Sequence, residues 1–346
     1  MNTLRHSALA LVLIFSAHAC ETDGDSPLYV DNPDWLVANP LGDFPAFINE
    51  VGLYPLPGEM NITHERAIQY TPRWPLWTNG SIKDRFIVLP AGETIHNSAS
   101  SASWDMPPGT LLFKTFSYPS EKDMSQRVPI ETRILRRTET EWEYAVYQWN
   151  EEGSDATLLP MKEPVIVALS GIDSPTETHA IPNRTQCRKC HESAVSEVLG
   201  FSELQLGDPL SEGADIQLTD LYGRGVFTQP PPEKPGIVTH DDPLTRDVLG
   251  YMQGNCIHCH NDTEGPSSSY SLHFADALNN LINVPTESSA SAAGIRIVPG
   301  KPEESILFQA LSGETENPEV KPMPPVGVQL LDTVAIEMFR EWISAL

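Results

Sequence analysis

The chain carries one short pattern twice, as Cys256-Ile257-His258-Cys259-His260 at residues 256–260 and as Cys187-Arg188-Lys189-Cys190-His191 at residues 187–191. Each copy has two cysteines separated by two residues and followed directly by a histidine. In a C-x-x-C-H pattern the two thiols can add to the vinyl groups of one porphyrin edge, and the histidine then lies beneath the iron as its ligand. The sequence therefore predicts two covalently bound haem c groups.

The predicted roles follow from this pattern. Four cysteines would form thioethers with haem, and two histidines would be axial ligands of iron: Cys187, Cys190, Cys256 and Cys259, and His191 and His260. Two C-x-x-C pairs could also hold zinc, or form two disulfides in an exported protein. A zinc ribbon needs no histidine directly after each pair, whereas both pairs here have one, so haem is the favoured interpretation.

The composition limits the classes of partner. The chain has 346 residues, enough for two or three domains, and its 22 Lys and Arg against 47 Asp and Glu give a net charge of −25. Such a charge repels nucleic acid, so we expect no nucleic-acid partner. An acidic surface would suit a basic redox partner protein, although surface acid more often serves only solubility.

The N-terminus has the features of an export signal. Residues 1–19 contain Arg5 followed by the apolar run ALALVLIF at residues 8–15, which is too short to span a bilayer. The sequence Ala17-His18-Ala19-Cys20 that follows is either an A-x-A cleavage site or an imperfect lipobox. Because four of the five cysteines belong to the haem motifs, the odd one, Cys20, is the expected lipidation site.

These features predict a location. Lipidated Cys20 would hold the protein on a membrane, with the outer membrane slightly favoured, facing the periplasm or the cell surface. Residues 20–34 are short and acidic and would form a tether. We expect no membrane-spanning helix after the signal peptide, because no further apolar run reaches roughly 18 residues.

Residues 35–182 have strand character and predict an all-β domain of sandwich or barrel-like architecture. The expected strands are residues 85–89, 110–116, 128–136, 143–149 and 165–169. In the third strand Ile130, Thr132 and Ile134 share one face while Glu131 and Arg133 share the other, the period-2 pattern of a half-buried strand. We expect this domain to dock a partner or to hold the haem region near one.

The remainder is predicted to be mainly α-helical, which makes the whole chain a multidomain α+β protein. Residues 183–241 would hold the first haem motif, a helix pair over 192–206 broken at Gly200, and a proline-rich connector. Residues 242–346 would form a domain like class I cytochrome c. In it, a helix over 242–254 leads into the second motif, and helices begin near Glu303 and after the N-cap Asp332.

A methionine between prolines is the expected sixth ligand of the second haem. Met323 lies in Lys321-Pro322-Met323-Pro324-Pro325, and a stiff loop of this kind can direct a thioether at iron. The first haem has no equivalent loop. Its conceivable sixth ligands are Met252, His240, His258 and His179, of which His258 is expected to face solvent.

From residue 44 to the C-terminus the chain resembles a family of exported bacterial dihaem c-type cytochromes with a β-rich N-terminal domain. The resemblance rests on both haem motifs, the Met-Pro and Trp-Ile elements near the end, and the stretches FP at 44–45, GLY at 52–54, LWTNG at 76–80, RF at 85–86, PGT at 108–110, KTF at 114–116, IETR at 130–133 and YQWN at 147–150. The family would lead us to expect an acidic residue at Asn79. The resemblance implies haem binding and electron transfer, without a substrate.

The favoured function is therefore an exported dihaem electron carrier, rather than a catalytic oxidoreductase. One alternative is a peroxidase-like dihaem oxidoreductase with an open first haem, although known dihaem peroxidases have motifs farther apart in sequence. A second alternative is a surface binding protein whose β domain recognises a ligand while its metal sites are structural.

Overall fold

The computed structural model describes residues 35–56, 58–97, 104–233, 236–262, 270–287 and 292–346. All of them belong to one unit that extends from Asn32 to Leu346. The predicted signal peptide, the tether and Cys20 lie outside the described residues. None of the helices in the described ranges combines the length and the apolarity that a membrane span requires.

A six-stranded antiparallel sheet is the largest element. Its strands follow one another in chain order: β1 Ile68–Gln69, β2 Ile82–Val88, β3 Leu111–Pro119, β4 Arg127–Arg137, β5 Trp142–Trp149 and β6 Ala156–Leu158. A two-stranded antiparallel sheet pairs β7 Val165–Ala168 with β8 Thr178–Ile181. All five predicted strands are confirmed, because they coincide with β2, β3, β4, β5 and β7.

Helices flank this sheet in sequence and fill the C-terminal half of the chain. In the described ranges they are α1 Trp35–Ala38, α2 Ile48–Val51, α3 Arg184–His191, α4 Glu203–Leu206, α5 Gln217–Gly223, α6 Pro243–Asn255, α7 Ala277–Leu281, α8 Ile306–Ser312 and α9 Thr333–Ala345, with a 3₁₀ turn at Pro302–Glu304. The mixed α+β class is thereby confirmed. The predicted helix pair over 192–206 is wrong, because only α4 is helical there.

Both faces of the large sheet are covered. On one face the strands pack on α1 and α2, with Trp35, Ile48 and Phe113 in a common core. On the other face Leu112 and Leu135 pack with Cys187 of the first motif. Residue alternation along β4 is confirmed, but its predicted half-burial is wrong: the Glu131 side chain is 0% exposed, because His179 of β8 packs against it and Cys187 covers the same face.

Two helices cross in the C-terminal half. The ring of Tyr251 in α6 lies 5.7 Å from that of Phe339 in α9, and the indole N–H of Trp342 donates to the Thr245 hydroxyl at 3.2 Å. Both helices begin as predicted: Asp242 accepts from the backbone N–H of Thr245, and Asp332 caps α9 in the same way. Their packing fixes α6, at whose C-terminus the second motif begins.

A tryptophan from the segment before β2 joins the two halves. A Cβ on Gly250 would lie 2.3 Å from atoms of the Trp74 ring, and one on Gly254 would lie 2.2 Å from the Trp74 carbonyl oxygen. Only glycine allows helix α6 to approach this closely. The backbone N–H of Trp77 also donates to Asn255 Oδ1 at 2.7 Å. The sheet region and the second motif are thus held in direct contact, at a seam formed by Trp74, Trp77, Gly250, Gly254 and Asn255.

Asn79 extends this contact towards the C-terminus. Its side-chain oxygen accepts hydrogen bonds from the backbone N–H groups of Gln329, at 2.7 Å, and Leu330, at 2.9 Å. Its backbone has a φ of 49°, a left-handed conformation that asparagine tolerates better than most residues. The amide oxygen of Asn79 thus accepts the same two hydrogen bonds that a carboxylate at this position would accept.

Candidate functional site

The first motif lies on a helix that is firmly capped. Asn183 precedes α3 and accepts from the backbone N–H of Gln186 at 3.0 Å, while the Gln186 side chain accepts from the Asn183 backbone at the same distance. The helix places Cys187, Cys190 and His191 on one face, three and four residues apart. Cys187 is buried against the sheet, whereas Cys190 is half-buried.

His191 is oriented by a hydrogen bond from one ring nitrogen. Its Nδ1 lies 2.5 Å from the carbonyl oxygen of Glu197, and its ring lies 5.5 Å from that of Tyr144. Burial lowers the pKa of His191 to about 4, so the ring is neutral. A neutral ring that donates through Nδ1 to this carbonyl leaves the Nε2 lone pair free, which is what a metal-ligating histidine needs.

The second motif turns away from the end of α6. The backbone N–H groups of Cys259 and His260 both lie 3.0 Å from the Cys256 carbonyl oxygen. The His260 ring lies 4.9 Å from Tyr270, over which the Arg296 guanidinium packs at 3.8 Å. Burial, reinforced by the charges of His258 and Arg296, lowers the pKa of His260 to about 4. This histidine too is neutral.

The two motifs meet in space. The Cys190 thiol lies beside the Cys259 thiol and the His258 side chain, close enough for both to change its pKa. The proximity of Cys259, with help from His258, lowers the pKa of Cys190, and the proximity of Cys190 raises the pKa of Cys259. The Asn261 amide also donates to the Ser193 carbonyl at 2.7 Å. The expectation that His258 faces solvent is wrong, because the first motif covers it and leaves it 7% exposed.

The sheet presents charge to the first motif. Arg85, Lys114 and Arg133 are paired in register on adjacent strands and therefore lie on the face that Cys187 covers. Burial raises the pKa of Cys187, and the Arg133 guanidinium acts against that rise. Burial also lowers the pKa of Lys114 well below its ordinary value, and the neighbouring arginines lower it further.

One buried carboxylate balances part of this charge. Glu131 accepts from Arg133 at 2.5 and 2.9 Å and lies 2.7 Å from the Nε2 atom of His179. Burial alone would raise the pKa of Glu131, but Arg133 and His179 outweigh it and hold this pKa at about 2. His179 also contacts the Tyr118 hydroxyl through Nδ1 at 3.3 Å. Both of its ring nitrogens therefore face partners within the β region.

A cleft opens where these parts meet. Its empty volume is about 840 Å³, including its solvent-open mouth. The sheet contributes Arg85 and Lys114, the second motif contributes Ile257 and His258, and the stretch after the first motif supplies a mainly apolar wall. The residues of that wall are Ala194, Val195, Ser196, Val198, Leu199, Gly200, Ser202, Leu204 and Gln205.

The candidate sixth ligands are scattered. Met323 is 40% exposed, and its backbone N–H donates to the Ala310 carbonyl at 2.8 Å. Met252 is fully buried in the core around α6, and His240 is exposed. Of the predicted ligands of the first haem, only His258 lies beside the first motif.

The metal alternatives have less geometric support. The four motif cysteines are free thiols. Among the residues that the structure describes, no three side chains of His, Cys, Asp or Glu are grouped so that they could hold one metal ion. In this arrangement the two C-x-x-C pairs are not grouped as one four-ligand cluster.

The charged part of this site does not follow from the sequence pattern. Arg85, Lys114 and the Glu197 carbonyl are not among the predicted site residues, and the alternation along β4 predicts a solvent-facing position for Arg133. The available indication was Lys114 itself, a lysine inside the otherwise uncharged strand stretch TLLFKTF at 110–116. Comparison of the chain with family models, with curated proteins and with solved structures found no match in any of the three.

Proposed function

We propose that this protein is an exported dihaem c-type cytochrome that transfers electrons through two covalently bound haem c groups. Its redox partner would be another protein, and lipidated Cys20 would hold it at a membrane. The proposal includes the fold assignments of a sandwich or barrel-like region over 35–182 and a cytochrome c-like region over 242–346, together with membership of the dihaem family that the sequence resembles.

The observation that carries the proposal is the contact between the motifs. Cys190 and Cys259, one attachment residue from each motif, lie close enough for each thiol to change the pKa of the other. Haem groups attached to these two sulfur atoms would therefore lie next to each other. An electron could then pass between them without crossing a layer of protein, which is what a two-centre carrier requires.

The residues of both motifs fit the group. Haem supplies one-electron chemistry at its iron when bound. The protein's part is to hold the ligand nitrogen neutral and fixed, and His191 meets both conditions through burial and its hydrogen bond to Glu197. His260 meets the first condition by burial beside Tyr270. Met323 remains our proposed sixth ligand of the second haem.

The test is a count of covalent haem in protein produced with haem-maturation machinery. We expect two haems per chain in a pyridine haemochrome assay. The double variants Cys187→Ser/Cys190→Ser and Cys256→Ser/Cys259→Ser should each retain one, and they serve as controls for each other. A Met323→Ala variant should lose the absorption band at roughly 695 nm that methionine–iron ligation produces. Wild-type protein without covalent haem would refute the proposal.

The cleft favours one second candidate, a dihaem oxidoreductase. It is lined by the stretch directly after the first motif and by Ile257 and His258 of the second, and it is open to solvent, so a small substrate could approach the motifs. This function predicts a high-spin component that binds cyanide, and peroxide-dependent oxidation of a reduced donor that His191→Ala abolishes. An entirely low-spin spectrum without turnover would exclude the oxidoreductase and support the electron carrier.

A further inference from the structure

Four cations share one covered face of the large sheet. Arg85 of β2 is directly opposite Lys114 of β3, which is directly opposite Arg133 of β4, and Lys83 lies two residues before Arg85. We refer to these four residues as the cation row. Like charges directly opposite each other on neighbouring strands are destabilising. Four of the 22 Lys and Arg residues thus lie together, in a chain that has 47 Asp and Glu.

The protein itself neutralises little of this charge. Arg133 is paired with Glu131, and Asp84, which neighbours Arg85 in sequence, is paired instead with Arg127 at 2.9 Å. Lys114 makes no hydrogen bond or ion pair with any residue in the described ranges; its ammonium lies 4.9 Å from the Phe116 ring. The guanidinium of Arg85 makes one long hydrogen bond, 3.4 Å, to the Lys83 carbonyl.

These two incompletely paired cations line the cleft. Arg85 and Lys114 form part of one wall, while Val195, Val198 and Leu204 belong to the apolar wall. A cleft of this kind matches a ligand with an apolar body and anionic groups on one side. Charge-assisted hydrogen bonds from such cations to carboxylates are among the stronger polar contacts in proteins.

We propose that the cation row binds the carboxylate groups of a largely apolar ligand seated in this cleft. Such groups have two possible sources, the propionates of a haem attached at the motifs or a free oxyanion that enters from solvent. The first source rests on the proposed function, whereas binding of an oxyanion as such does not.

The first arm of the test uses haem-loaded protein. Lys114→Gln and Arg85→Gln are compared with the control Arg127→Gln, which removes a half-exposed cation of the same sheet. If propionates occupy the row, both variants should keep two haems, and the reduction potential of one haem should fall, because a nearby cation favours the more negative reduced state. The control should change neither potential. Lys114→Gln removes the lysine whose charged form is opposed by burial and by the neighbouring arginines, so the ligand-free variant should fold at least as stably as the wild type.

The second arm uses inorganic phosphate and calorimetric titration. If a free oxyanion occupies the row, phosphate should bind haem-loaded wild-type protein, and Lys114→Gln should weaken it roughly tenfold or more. If neither the potentials nor phosphate binding respond to Lys114→Gln and Arg85→Gln, the cation row is not an anion site. If the wild type carries no covalent haem, the proposed function fails. Phosphate titration of that haem-free protein then tests by itself whether the cation row binds an anion.

Discussion

The first motif and the second motif have the same pattern of residues in different surroundings. Cys187 is buried against a sheet face that carries the cation row and the Glu131 network. The second motif follows α6, whose neighbours are Trp74, Phe339 and other apolar residues. Buried charge is costly to unbalance, whereas apolar packing is sensitive to shape. The two motifs should therefore fail for different reasons, and the following substitutions test that difference.

The largest effect should follow loss of the Glu131 carboxylate. Glu131→Gln leaves Arg133 charged and unpaired in a partly buried position, and removing one partner of a buried pair typically costs about 3–5 kcal/mol. We expect the free energy of unfolding, measured with denaturant, to fall by that amount, and histidine–iron ligation to be lost at the first motif before the second. The control is Asp220→Asn, which breaks an exposed pair with Arg224 and should cost about 0–0.5 kcal/mol. Equal effects in the two variants would contradict the comparison.

The same carboxylate predicts a dependence of stability on pH. The pKa of Glu131 is about 2 in the folded protein against an ordinary value of 4.5. Because the folded-state pKa is depressed, its contribution to stability is fully present above pH 4.5 and is lost as the pH falls towards 2. The contribution is on the order of 3 kcal/mol. The difference in the free energy of unfolding between wild type and Glu131→Gln should therefore shrink as the pH is lowered from 6 to 2. A difference that stays constant would argue against an ionised Glu131.

A smaller effect is expected at the seam that positions the second motif. Gly250→Ala places a methyl group 2.3 Å from the Trp74 ring, and overpacking of this kind costs about 1–3 kcal/mol. In this variant, histidine–iron ligation should be lost first at the second motif. Gly223→Ala is the matched control, because no atom lies within 4 Å of a Cβ there and alanine favours a helix by up to about 1 kcal/mol. If Gly250→Ala proved as stable as the control, the close approach of α6 to Trp74 would be wrong.

The smallest effects should come from the two helix caps. Asn183→Ala removes the cap of α3, and Asp242→Ala that of α6; each should cost about 1 kcal/mol. The control is Asp276→Ala, because the Asp276 side chain makes no capping hydrogen bond to α7. Thermal unfolding compares the three. If both cap variants lose a similar amount of stability, the two motifs differ in their packing and charge and not in how their helices begin.

The sequence predicted the elements well and their surroundings less well. Alternation located β4, and the apolar periodicity with Asp242 and Asp332 located α6 and α9, because these properties are local. The burial of Glu131 and His258 was missed because it depends on which distant segment covers them. The stretch over 192–206 was predicted to be helical from its composition. Instead, the chain there leaves the helix so that the Glu197 carbonyl reaches His191.

Similarly, both C-x-x-C-H motifs were visible in the sequence, but their contact was not. Residues between Cys190 and Cys259 give no indication that these two thiols meet, since the connection runs through α5 and a proline-rich stretch. The cation row was equally hidden, because strand register decides that Arg85, Lys114 and Arg133 are neighbours.

The seam also sets an order of events in time. Trp77 and Asn255, which it joins by a hydrogen bond, are 178 residues apart. A chain that grows at roughly 5–20 residues per second needs on the order of 10–40 s to deliver the second after the first. Throughout that interval the Trp74 ring lacks the glycine surface of α6. The β region therefore cannot complete this contact until α6 has been synthesised.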